Sequence, residues 1–227
     1  MRPNIVEGEL YHIYNRGVEK RVVFPSNEYY SRFVKGLREF NNASPIHLSD
    51  LATDFDLSYS SKRRRAKDAL VEILSFILMP NHYHLLIRQL TEGGISLFMQ
   101  KLGTGFTTFF NLKNLRTGAL FQGRYKLKLI NSDRYAKHIQ AYIALNALDF
   151  AMPEWRDGGV QNRVKAKRLV REYRWSSFSS YLGKNNFPGI INQDFLYEFF
   201  ADKEEFEKAV ISWADKDSYN LKGVAAD

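Results

Sequence analysis

The sequence predicts an α+β protein on a ferredoxin-like split βαβ antiparallel sheet, with one helix added after the last strand and a helical C-terminal extension. Three observations carry this expectation. Four strand-length segments are apolar or alternate with period two. Segments with apolar spacing of three and four lie between them. Two of the strand segments, 71–79 and 82–90, are separated only by Pro80-Asn81, which makes them a hairpin. The order is β-α-β-β-α-β-α, with a basic insertion at about 43–70 after the first helix.

Residues 8–17 (GELYHIYNRG) read as the first strand, ending at the turn signal Asn15-Arg16-Gly17. Ser26 is placed to cap a helix in which Tyr29, Tyr30, Phe33, Val34, Leu37 and Phe40 recur on one side. VEILSFILM at 71–79 is a buried-type strand, and HYHLLIRQL at 82–90 is its hairpin partner. The next helix spans roughly 95–115, with Leu97, Phe98, Leu102, Phe106, Phe109 and Phe110 on one side and an expected kink at Gly103 and Gly105. Residues 118–130 read as one strand, with Tyr125, Leu127 and Leu129 on one face and Lys126 and Lys128 on the other. Asn131-Ser132-Asp133 then caps a helix to about Leu148. The expected division is a catalytic domain at 1–150 and a helical extension at 151–227, with short helices near 194–200 and 204–214.

Composition narrows the chemistry. Among 227 residues, 33 Lys and Arg face 25 Asp and Glu, a net +8, and 15% are aromatic. That balance suits a polyanion whose bases can be stacked, and equally an aromatic core in a basic protein. The chain has no cysteine, which excludes disulfides, thiolate metal sites and cysteine nucleophiles. Its longest apolar stretch is too short to span a bilayer, and 1–4 lacks an apolar signal segment. No Walker-type GxxxxGK[ST] motif is present, so no nucleotide cofactor is expected.

His82 and His84 are two residues apart on a strand, so both imidazoles project from one face and stand close enough to share a divalent ion. Two hairpin histidines with no ligand role fit the same pattern. Tyr142 and Asn146 are four apart on a helix and share a face, where they fit a nucleophile and a hard ligand. Tyr142 also continues an apolar stripe with Tyr135, Ile139 and Ile143, which is a packing pattern.

Taken together, five segments resemble the REP-associated tyrosine transposases, a branch of the single-tyrosine HUH transposases of insertion-sequence type. They are YHIYNRG at 11–17, MPNHYHLL at 79–86, GALFQGRYK at 118–126, YIALN at 142–146 and WSS at 175–177. The resemblance implies a HUH/Rep-like fold, with His82 and His84 as metal ligands, Tyr142 as nucleophile and Asn146 as the polar residue that helps bind Mg²⁺ or Mn²⁺. It further implies a single-stranded DNA substrate carrying a hairpin of the repetitive palindromic kind. The strand would be nicked through a 5′-phosphotyrosine and rejoined. Family members usually continue with Pro and Val after this Asn. Here Ala147-Leu148 stand instead, and Asn is shorter than the Gln of related enzymes, which puts its direct coordination in doubt.

The implied setting is cytoplasmic and nucleoid-associated in a prokaryote, as a monomer or homodimer. A catalytically silent hairpin-binding protein and a water-using phosphodiesterase are the competing readings.

Basic residues complete the picture. Lys62, Arg63, Arg64 and Arg65 form the densest run, either a solvated helix face or a contact to a hairpin stem. Arg124, Lys126 and Lys128 can follow a DNA backbone beside the site, and Arg16 is a further candidate. Arg163, Lys165, Lys167, Arg168, Arg171 and Arg174 divide between solvent and DNA. Trp175 reads as packing, and His12 as structural, near the active face of the sheet.

Overall fold

The computed structural model describes residues 4–44, 69–184 and 186–214. Lys62, Arg63, Arg64 and Arg65 lie outside the described residues. Four strands, β1 (Leu10–Arg16), β2 (Val71–Met79), β3 (His82–Gln89) and β4 (Lys126–Ile130), form one sheet in the order β2-β3-β1-β4. Every neighbouring pair is antiparallel. This is the strand order of a split βαβ, and the expected fold class is the one observed.

Period two decides how the sheet is covered. Tyr11 and Ile13 on β1, and Tyr83, Leu85 and Ile87 on β3, point to one face and are buried. The helices α1 (Asn27–Glu39) and α2 (Gly94–Lys113) lie over that face. Phe33 meets Tyr83 with ring centroids 5.0 Å apart and Phe106 at 5.1 Å, and Tyr83 also meets Phe121 at 5.7 Å. The opposite face receives α3 (Asp133–Leu145), whose contacts fall on β2 and β3. Its start is fixed as expected, since the Ser132 side chain accepts from the Tyr135 N–H.

Residues after α3 pack back on the same layers. A 3₁₀ turn at Asn146–Phe150 leads to α4 (Trp155–Gly158), α5 (Arg163–Glu172), α6 (Phe178–Tyr181) and α7 (Lys203–Ser212). The Trp175-Ser176-Ser177 segment lines the outer edge of β2. Leu78 N–H donates to Trp175 O at 2.9 Å, and Ser177 N–H to Phe76 O at 2.9 Å. That contact covers an edge that would otherwise offer unpaired backbone groups. Trp175 stacks on Tyr30 at 4.8 Å, so it is a packing residue.

Two local expectations need correction. The segment 118–130 does not form one strand: β4 begins at Lys126, because Gly118 (φ 87°) and Gly123 (φ 77°) turn the chain beforehand. Among the described residues, only an isolated bridge, Gly17 to Phe121, pairs that earlier stretch. Helix α2 runs for 20 residues through Gly103 and Gly105. Gly105 is there for a close approach: a Cβ at this position would lie 2.3 Å from the Phe40 ring, whereas one at Gly103 would meet nothing within 4 Å.

Gly105→Ala should therefore destabilise the protein by about 1–3 kcal/mol through overpacking against Phe40. Gly103→Ala should stabilise it by up to about 1 kcal/mol through helix propensity. Urea unfolding of the two variants checks the opposite signs.

Candidate active site

Strand register assembles the site before any helix is added. His12 lies opposite Leu86 and Lys128, Tyr14 opposite His84 and Lys126, and Arg16 opposite His82. Directly opposed residues share a face. The α3 side of the sheet therefore carries three histidines, one tyrosine and three cations in a single patch.

The turn that presents His82 is held from outside the hairpin. Pro80 O accepts from Val23 N–H at 2.7 Å and Phe24 N–H at 2.9 Å, while Asn81 O accepts from Gly17 N–H at 2.8 Å. The segment making these bonds includes Glu19 (φ 55°) and Lys20 (φ 59°), two consecutive non-glycine residues in the left-handed region. Such a backbone costs roughly 1–2 kcal/mol per residue, and the bonds to the turn oppose that cost. Asn81 Nδ2 donates to Lys20 O at 3.3 Å, which orients the amide so that its Oδ1 meets His82 Nδ1 at 2.6 Å.

His84 is buried beside His12, with His12 Nε2 and His84 Nδ1 2.9 Å apart and the rings nearly parallel at 5.1 Å. The rings of His82 and His84 stand 5.2 Å apart at right angles. Burial pushes His84 well below its ordinary range, and the charges of Arg156 and Arg16 act in the same direction. Burial, with Lys128 next, pushes His12 down to about 3. Both rings are neutral near pH 7.

Helix α3 brings Tyr142 to these histidines. Its ring meets His84 edge to face at 5.3 Å and His12 at 6.0 Å. Tyr142 is only 2% exposed, so the phenol is covered in this conformation. One turn earlier, His138 packs on Trp213 at 4.7 Å, and burial lowers it to about 4.

Asn146 is fully buried at the end of α3, and both ends of its amide are engaged. Nδ2 donates to Tyr142 O at 2.7 Å, and Oδ1 accepts from Arg156 Nη2 at 2.8 Å. Arg156 is also paired with Asp149 at 2.7 Å, and its guanidinium lies 5.5 Å from the centre of the Tyr142 ring. The expected ligand oxygen thus has a guanidinium as partner.

Arg16 and Lys126 line a small surface pocket with Tyr14, Asn15, His82 and Gln122. The Lys126 ammonium sits 5.5 Å from the Tyr14 ring centre, and Tyr14 stacks on His84 at 5.7 Å. Lys128 is half-buried and Arg124 exposed, so the face and its rim are basic. Farther off, Lys167 and Arg171 are committed to the buried Glu207, at 2.7 and 2.6 Å. Arg163, Lys165 and Arg168 are exposed on α5.

A divalent ion fits the imidazole pair on one structural ground. His84 Nε2 is buried with no hydrogen-bond partner among the described residues, and the Nδ1 atoms of His82 and His84 are each tied to a neighbour. Metal-bound histidines are held in this manner by their second nitrogen. No group of three or more His, Asp or Glu among the described residues is placed to hold an ion, so the protein would contribute mainly these two nitrogens. Sequence reasoning missed Arg156, Asn81 and His138 as neighbours of the site. His138 stands four residues before Tyr142 on α3, so the helical spacing that paired Tyr142 with Asn146 could have found it, whereas Arg156 and Asn81 stand in no such period.

The IS200-like transposase family model matches residues 57–146, the stretch holding both histidines and ending on Asn146. A solved REP-associated tyrosine transposase, bound to a REP hairpin, is similar over 85% of this chain and 90% of its own, at 17% identity and a TM-score of 0.53. No curated protein matches in sequence. The resemblance read from the sequence stands, and the fold is shared. No helix among the described residues is long and apolar enough to cross a membrane.

The buried histidines set a pH dependence. In the unfolded chain each imidazole binds a proton near pH 6.5, whereas folded His12, His84 and His138 stay neutral to well below it. Stability is thus fully present above pH 6.5 and lost as pH falls toward 3–4, by up to about 1.4 kcal/mol per pH unit for each histidine. Urea midpoints should stay nearly level from pH 7.5 to 6.5 and fall steadily from there to pH 5, and His138→Phe should flatten that slope by about one third.

Proposed function

We propose that this protein is a single-tyrosine HUH DNA strand-transferase that nicks single-stranded DNA next to a hairpin and rejoins it. The observation that supports this reading best is the convergence of Tyr142, from α3, on His84, from β3, at 5.3 Å on a basic face of the sheet. A phenol beside two imidazoles, with cations around them, is a donor set that fits phosphoryl transfer.

His82 and His84 would hold a divalent ion, Mg²⁺ or Mn²⁺, and Asn146 would join them once Arg156 gives up its oxygen. When bound, such an ion polarises the scissile phosphate and offsets charge on its oxygens. Tyr142 Oη attacks phosphorus: the Oη–P bond forms, the P–O3′ bond breaks, and the phenolic proton is balanced by the one gained at the departing 3′-oxygen. The reverse attack by a 3′-hydroxyl reseals the strand without ATP, because the phosphodiester energy is kept in the tyrosyl ester. Arg16, Arg124, Lys126 and Lys128 would hold the flanking backbone through phosphate contacts, and Lys62, Arg63, Arg64 and Arg65 the stem of the hairpin.

A silent hairpin-binding protein is the second reading, favoured by one observation: Tyr142 is covered and Asn146 engaged in this conformation. Hairpin-flanked single strands with Mg²⁺ or Mn²⁺, run on a denaturing gel, separate the cases. The proposed function yields a protein–DNA adduct. Tyr142→Phe, which keeps the ring and its contacts, should lower adduct formation at least about 100-fold, and His82→Ala with His84→Ala should abolish metal dependence. Binding without an adduct points to the silent protein, and cleaved product without an adduct to a water-using phosphodiesterase.

A further inference from the structure

We propose that His12 is a positioning residue of the ion site, selecting the tautomer in which His84 presents a bare Nε2. This inference rests on the proposed function and concerns a residue that the sequence marks only as structural.

A neutral imidazole carries one N–H, so a hydrogen bond between two ring nitrogens has two arrangements. In one, His84 Nδ1–H donates to His12 Nε2, His12 keeps its proton on Nδ1, and His84 Nε2 is a free lone pair. In the other, His12 Nε2–H donates to His84 Nδ1, and the proton on His84 Nε2 blocks coordination. The 2.9 Å contact and the nearly parallel rings fit both. The outer atoms separate them once an ion is bound. His12 Nδ1 and His84 Nε2 are both buried without a hydrogen-bond partner among the described residues. Each such atom carries a desolvation cost. A cation on His84 Nε2 removes one of these costs, and only in the first arrangement.

The other histidine shows the same device with a simpler part. Asn81, oriented by its bond to Lys20 O, offers Oδ1 to His82 Nδ1. A carbonyl oxygen only accepts, so His82 carries its proton on Nδ1 and Nε2 is its lone-pair nitrogen. His12 does for His84 what Asn81 does for His82. The strand register puts it there, two residue pairs along from the Tyr14–His84 pair and on the same face, and the core on both sides keeps water from competing.

Mn²⁺ binding to the full-length protein, read by electron paramagnetic resonance without DNA, tests this directly. His12→Phe should weaken Mn²⁺ affinity 10- to 100-fold. His12→Gln, whose Oε1 can accept from His84 Nδ1–H, should stay within a few-fold of the parent. Equal affinity in His12→Phe and parent overturns the proposal, as does a His12→Gln variant as weak as His12→Phe. A parent that binds no Mn²⁺ overturns the proposed function along with it. Long-range ¹H–¹⁵N spectra of the metal-free parent supply a readout that needs no variant to fold. They should show His84 protonated on Nδ1, and an Nε2–H tautomer overturns the proposal.

Discussion

The architecture depends on β3 serving two environments at once. A strand offers successive side chains to opposite faces, so a histidine pair on one side commits the residues between and after it to the other. Tyr83, Leu85 and Ile87 meet that demand by filling the core under α1 and α2. The cost falls on the other side, where imidazoles must be removed from water. A slip of one residue in the β1–β3 register would bury His82 and His84 among phenylalanines and turn Leu85 toward the site. The strength of the apolar face is therefore what fixes the polar one, and the hairpin turn, held by residues 17–24, sets where the strand begins.

That arrangement makes the site cationic without charge on His12 or His84. Burial keeps His12 and His84 neutral, while Arg16, Lys126, Lys128 and Arg156 supply positive charge around them. Neutral imidazoles are what a metal requires, and surrounding cations are what a phosphodiester requires. Had carboxylates been used in their place, they would have bound an ion more firmly and repelled the polyanion. On the proposed function, an imidazole pair inside a basic rim would reconcile the two needs at the expense of acid stability.

How much of this was legible in the sequence follows from which interactions are periodic. Alternation along 82–88 placed both histidines and the core residues between them, and the Ser132 cap placed α3 and with it Tyr142. The failures involve partners that no period announces. Leu120 and Phe121 look like strand residues because they are buried, yet two left-handed glycines keep them off the ladder until Lys126. Gly105 reads as a helix breaker when its purpose is to admit the Phe40 ring. His12 was placed near the active face by its motif, but its hydrogen bond to His84 depends on a diagonal contact across two strands.

Arg156 shows how the residues after α3 bear on the site. It reaches back from α4 to the amide of Asn146 while lying against the Tyr142 ring, and Asp149 holds it there. One guanidinium thus occupies the oxygen expected to bind an ion and crowds the phenol expected to attack. A dication sharing that oxygen would face a positive charge at hydrogen-bond distance, a repulsion that low-dielectric surroundings strengthen. A phosphate arriving on the basic face changes the balance, because a bidentate anion competes with Asp149 for the same guanidinium. Transfer of Arg156 from protein carboxylate to substrate phosphate would release Asn146 and uncover Tyr142 in a single movement. On the proposed function, the covered conformation is the state expected without DNA, with the phenol kept from use until a strand is present.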